Sequence, residues 1–165
     1  MRLLLVCVSL LSATAFGVVN IGDSAPNLCW KDATNQTVCV DDHKDKVRVL
    51  VYATGWCPAC NEEMTQLAPQ VAQFSSSPVI FLSLMAQGDT HGSAPSPQFL
   101  TKWKKKHGIS FPVLASPKDA GKNFFAAPIY IPNVVIIGKD GKVAYKEVAP
   151  EVSTLLAKVK ELSAQ

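Results

Sequence analysis

VRVLVYATGWCPACNEEM, residues 47–64, joins two patterns. Residues 47–53 are nearly all apolar and β-branched, the composition of a strand buried on both faces. From Pro58 onward, Met64, Leu67, Ala68, Val71 and Phe74 recur at helical spacing, so a helix is expected to begin there, with Pro69 kinking it. Cys57 and Cys60 therefore stand where a buried strand ends and a helix begins. A helix N-terminus carries unpaired N–H groups and the positive end of a dipole, and both stabilise negative charge. A thiolate is favoured at that position, which predicts a lowered pKa for Cys57. Cys57 is the outer sulfur and can attack a disulfide. Cys60 lies one turn in and can resolve the mixed disulfide. Pro58 suits the first helical turn, where its missing N–H removes no bond. The spacing alone is also compatible with a metal clamp or a structural bridge.

The chain has 165 residues, enough for one domain with a real core, and 48% of them are hydrophobic. The net charge of +3 is too small and too scattered to point to nucleic acid. Met1 and Arg2 precede a short apolar run, 3–11, and Ala13-Thr14-Ala15 fits a small-x-small cleavage pattern. Residues 1–17 are thus expected to be a secretory leader, cleaved after Ala15 or Gly17, with one domain over 18–165. The rival reading is an uncleaved membrane anchor, since apolar residues continue to Ile21. Ser9, Ser12 and Thr14 interrupt that run, whereas a spanning helix wants about 20 apolar residues. Cleavage removes Cys7 and leaves Cys29, Cys39, Cys57 and Cys60, which in an exported protein tend to pair.

No repeat or linker divides the rest. Segments 27–30 and 37–40 flank the turn-rich KDATNQ and predict a hairpin. If it pairs about Thr34, Cys29 and Cys39 face each other, and a structural disulfide there is the favoured reading over a second redox pair. Strands are expected over 79–84 and 111–115. Helices are expected after Ser96-Pro97, ending at Gly108, and over 119–125. Asp140-Gly141 marks a tight turn between two strands, and Val152, Leu155, Leu156, Val159 and Leu162 make a last amphipathic helix. The expected fold class is α/β, a central mixed sheet with helices on both faces and an added N-terminal hairpin.

VLVYATGWCPACNEEM resembles the strand–W-C-x-x-C–helix segment of thioredoxin-like proteins. It is most similar to exported TlpA/ResA-type thiol–disulfide oxidoreductases, with an AhpC/TSA- and redoxin-like domain, which share W-C-x-x-C-x-x-E-M. SAPNLCWKDATNQTVCVDD resembles the family's leading hairpin, and YIPNVVIIGKDGKV its second signature. The resemblance runs from about Ala25 to the C-terminus. It implies a thioredoxin fold in which Pro132 is a cis-proline beside the active-site sulfurs, with Ile131 before it and Trp56 as a flat contact surface. It also implies protein dithiol or disulfide substrates, a membrane redox partner, a periplasmic home and no cofactor or metal; the chain is expected to act as a monomer. Three positions depart from the family. Val51 replaces a buried Asp, Thr65 a Pro, and Asn133 the Glu found after the cis-proline in cytochrome c maturation members. Glu63 matches the E-M position and reads as a helix-surface residue. Pro58 and Ala59 bring no charge between the cysteines, which favours the reductase direction.

Two alternatives stay open. A peroxidase of the same fold would explain Thr54, three residues before Cys57, but lacks its proline at Leu50 and a late arginine; Arg2 and Arg48 are the only arginines. A copper-handling module would need further ligands, of which His91 is the one candidate. KWKKKH, 102–107, reads as a solvated helix end, where positive charge is favourable. Trp30 and Trp103 are assigned to packing.

Overall fold

The computed structural model describes residues 17–117 and 119–165. The expected leader lies outside the described residues except for Gly17. Among the described residues no helix is long and apolar enough to cross a membrane.

The apolar run at 47–53 forms β3 (Val47–Thr54), buried at every position. It is central in a seven-stranded sheet of order β2-β1-β5-β4-β3-β6-β7. Its partners are β4 (Val79–Gln87), parallel, and β6 (Asn133–Ile137), antiparallel. Beyond β4 come β5 (Val113–Ala115) and the hairpin of β1 (Cys29–Asp32) and β2 (Thr37–Cys39). β7 (Val143–Val148) closes the other edge across the Asp140-Gly141 turn. Side chains alternate between faces, so Val49, Val51 and Ala53 join one core while Leu50 and Tyr52 join the other.

The sheet is flanked by helices, but unevenly. α1 (Pro58–Leu67), α2 (Pro97–Lys106) and α3 (Val152–Ser163) all pack with Val49, Val51 and Ala53. The two crossovers β3-α1-β4 and β4-α2-β5 step in the same direction across the sheet, and crossovers of one hand then put both helices on one face. The opposite face is covered by the 3-10 turn Val40–His43, by Val19 and Ala25, and by Phe124 and Phe125. The helix expected over 119–125 is instead a series of turns. Ala120 and Gly121 adopt φ of 39° and 91°, in the left-handed region that no α-helix contains. Pro69 does more than kink the helix: α1 stops at Leu67 and the chain continues as a 3-10 segment, Ala68–Phe74.

The hairpin pairs about Thr34, with Cys29 opposite Cys39 and a disulfide between them. Its turn is held by Asp32, whose Oδ1 accepts from Thr34 N, Thr34 Oγ1 and Gln36 N. Trp30 and Trp103 are both buried. On the chain-entropy account a bridge over so short a loop stabilises by about 2–3 kcal/mol. The double variant Cys29→Ala/Cys39→Ala is expected to lose about that much in urea denaturation, with an m-value slightly above the parent's because the unfolded chain is less constrained.

Candidate active site

The site begins where β3 runs out of sheet. Gly55 follows Thr54 with no room for a side chain: a Cβ there would lie 2.5 Å from the Phe99 ring and 2.7 Å from the Gly88 carbonyl oxygen. Trp56 is then turned outward, 37% exposed, and its Nε1 donates to Gln87 Oε1 (2.7 Å). The same oxygen accepts from Gly92 N (2.8 Å), and the His91 ring lies 5.0 Å from the indole. The polar loop after β4 is thereby tied to Trp56.

Cys57 is the N-cap of α1, in extended conformation, and Pro58 is the first helical residue. Cys57 Sγ accepts a hydrogen bond from Cys60 N at 3.1 Å, so the sulfur occupies the anion position of a helix N-terminus. Cys57 and Cys60 are joined by a disulfide. From the far part of the chain, the carbonyl oxygen of Ile131 stands 4.0 Å from Cys57 Sγ, and the Ile131–Pro132 peptide is cis. The structure thus brings together Trp56, Cys57, Cys60, Ile131 and Pro132. Cys29 and Cys39 stand apart, on the hairpin beyond β4 and β5. His91 reaches Trp56, but among the described residues no three His, Cys, Asp or Glu side chains gather as metal ligands.

Four residues of this region have structural roles that their sequence context did not indicate. Asn133, directly after Pro132, is fully buried, and its Nδ2 donates to Ala120 O and Tyr130 O, both at 2.8 Å. It ties together the two ends of the 120–130 segment, whose Tyr130 is 63% exposed. Gln87 positions Trp56, and Asn61 contacts the backbone before α1. Glu63 requires a correction: it is not a helix-surface residue. It is only 6% exposed, neither carboxyl oxygen has a hydrogen-bond partner, and burial pushes its pKa up to about 7. It borders a cleft of about 190 Å3 with Ala59, Glu62, Pro132 and Glu151. Helical spacing contained this signal, because Cys60, Glu63, Met64 and Leu67 lie on one face. A larger cavity, about 680 Å3, opens beside the hairpin at Leu28, Trp30 and Lys122, away from Cys57. Cys57 is 5% exposed and Cys60 1%, so Cys57 is the more accessible sulfur, and exchange with a protein thiol needs a docking surface beside it rather than an enclosed pocket.

Comparison with known proteins places this geometry. Residues 21–146 match the AhpC/TSA family. No curated protein sequence matches the chain. Among solved structures it is similar to a Bacteroides thetaiotaomicron protein described as a candidate disulfide isomerase, with TM-score 0.76, 18% identity, and 90% and 92% of the two chains covered. It is also similar to a thioredoxin-family thiol:disulfide interchange protein of Chlorobium tepidum TLS (TM-score 0.70, 17% identity, 86% and 96% covered). A secreted disulfide oxidoreductase of Mycobacterium tuberculosis matches at TM-score 0.63 and 19% identity, with 82% and 96% covered.

A carboxyl whose folded pKa lies above its unfolded value of 4.5 favours folding while it is protonated. That stability is complete below about pH 4.5 and is lost as pH rises through about 7, an effect on the order of 3 kcal/mol. Glu63→Gln is therefore expected to flatten the stability–pH curve between about pH 5 and pH 8 and to gain on the parent at the alkaline end. Urea denaturation across that range checks it; parallel curves would contradict the assignment.

This chain belongs to the AhpC/TSA family and has the thioredoxin fold.

Proposed function

We propose that this chain is an exported thiol–disulfide oxidoreductase that exchanges electrons with protein dithiols and disulfides through Cys57 and Cys60. The observation that carries the reading is the placement of Cys57 Sγ. It caps α1, lies behind exposed Trp56, and faces the backbone of Ile131 and Pro132.

In the reductive direction the Cys57 thiolate attacks a substrate disulfide, forming one S–S bond as another breaks, and a substrate thiolate leaves. Cys60 then attacks Cys57 Sγ, and the second substrate thiolate departs with its proton supplied by solvent. Two electrons have moved to the substrate, and Cys57–Cys60 is left as a disulfide. Ile131 and Pro132 hold substrate backbone beside the sulfur, and Trp56 supplies a flat contact. A membrane dithiol partner restores the reduced pair. Export through a leader cleaved after Ala15 or Gly17 agrees with the secreted description of the mycobacterial neighbour. The reductase direction follows from Pro58 and Ala59, which add no charge between the cysteines. The chain acts as a monomer.

Arg48 does not support the peroxidase reading. It lies at the opposite end of β3 from Cys57, buried, with Nη2 donating to Gly138 O.

Insulin reduction by the parent protein is expected to vanish in Cys57→Ser, whereas Cys60→Ala should trap a mixed disulfide on Cys57. The Cys57–Cys60 potential is expected near the thioredoxin value of about −270 mV; a value near about −120 mV would reverse the direction. Rapid hydrogen peroxide turnover surviving Cys60→Ala would replace the reading with a peroxidase. Near-stoichiometric copper lost on Cys57→Ser would replace it with a metal module.

A further inference from the structure

Asn61, the residue after Cys60, folds its side-chain amide back over the start of α1. Its Nδ2 donates to the carbonyl oxygens of Gly55 (3.0 Å) and Cys57 (2.8 Å). The Cys57 carbonyl also accepts the Asn61 backbone N–H at 3.1 Å. One side chain therefore closes the segment between β3 and α1 from both ends. Its Oδ1, pointing the other way, accepts from Lys106 Nζ, 45 residues on in the chain. One turn further along α1, Thr65 Oγ1 donates to Asn61 O and stands 3.1 Å from His107 Nδ1. The C-terminal end of α2 is thus docked on the outer face of α1, and its last lysine is two hydrogen bonds from the backbone of Cys57.

Besides Asn61, Lys106 Nζ lies over the Trp103 ring, 5.9 Å from its centroid, a contact that leaves the charge in place. Among the described residues it forms no ion pair, whereas Lys102 on the same helix is paired with Asp89 at 2.7 Å. Its partner Asn61 is neutral, so the full positive charge remains beside the active-site turn. The other titratable groups facing this end are His107 against Thr65 and Trp103, Glu62, Glu63 and Glu151 around the cleft by Pro132, and His91 against Trp56. A cation acts on the two redox states unequally. The disulfide carries no charge, while the reduced form carries a Cys57 thiolate, and a neighbouring lysine lowers the pKa of such a thiol.

Resting on the oxidoreductase reading, we propose that Asn61 and Lys106 are positioning residues. Asn61 holds the turn before α1 closed and Lys106 stabilises the Cys57 thiolate through it. Together they raise the reduction potential above the value that Pro58 and Ala59 alone would set. The Lys106 charge, absent from the C-x-x-C motif, is supplied by α2.

The test uses the full chain, with its N-terminus as matured, equilibrated in glutathione buffers. There the protein disulfide and two glutathione thiols exchange for the protein dithiol and glutathione disulfide. Equilibrium constant, Cys57 alkylation pKa and Tm are read for Lys106→Gln, Lys106→Arg, Asn61→Ala and Asn61→Asp. Lys106→Gln is expected to disfavour the dithiol by about threefold, which is about 14 mV for a two-electron couple, and to raise the Cys57 pKa. The difference should shrink as ionic strength rises from about 0.05 M to about 1 M. Lys106→Arg should restore both values. Asn61→Asp should exceed Asn61→Ala, because a carboxylate cannot donate to the two carbonyls and places negative charge beside the thiolate. Parental equilibrium constants and thiol pKa values in Lys106→Gln and Asn61→Asp would overturn the proposal, whether or not Tm falls. So would Lys106→Arg behaving as Lys106→Gln. A parent protein that neither equilibrates with glutathione nor reduces insulin would instead sink the oxidoreductase reading.

Discussion

The close packing at Gly55 is the constraint on which the site depends. β3, α2 and the loop after β4 meet there so tightly that a single methyl group would collide with the Phe99 ring and the Gly88 carbonyl. The backbone must leave the sheet at that point. Leaving the sheet turns Trp56 to the surface and makes Cys57 the cap of α1. The sulfur then accepts the Cys60 N–H that a helix start otherwise leaves to solvent. Backbone packing converts a pair of cysteines into a polarised pair.

The second half of the site comes from 74 residues further on and needs its own anchoring. Ile131 and Pro132 end an irregular segment with little regular hydrogen bonding of its own. Asn133 supplies what that segment lacks, binding Ala120 O and Tyr130 O from a fully buried position. A Cβ on Gly121 would lie 2.7 Å from Asn133 Oδ1, so the seat of this side chain too depends on a missing methyl group. The residue that departs from the cytochrome c maturation pattern is therefore the one that anchors the segment before Ile131 and Pro132.

Charge around Cys57 is divided between two sides. Glu62, Glu63 and Glu151 border the cleft by Pro132, and Glu63 is held largely out of water without a partner. Desolvation favours its neutral form, which limits the negative charge in that cleft. On the outer face of α1, Lys106 contributes positive charge through Asn61. Neither contribution comes from the two residues between the cysteines, so the electrostatics of the pair are set by neighbouring elements.

Local pattern was enough for the parts of this protein that local physics controls. The buried run of β3, the helix start at Pro58, the hairpin centred on Thr34 and the turn at Asp140-Gly141 each follow from composition and spacing within a few residues. The position of Cys57 and Cys60 at a helix N-terminus, where a thiolate is stabilised, was legible for the same reason. Tertiary structure decided what depends on residues far apart in sequence. It turned 119–125 away from a helix, put all three α-helices on one face, buried Glu63, and brought Lys106 to Asn61. Burial, unpaired charge and side-chain hydrogen bonds are properties of what packs around a residue, and no window of sequence contains those neighbours.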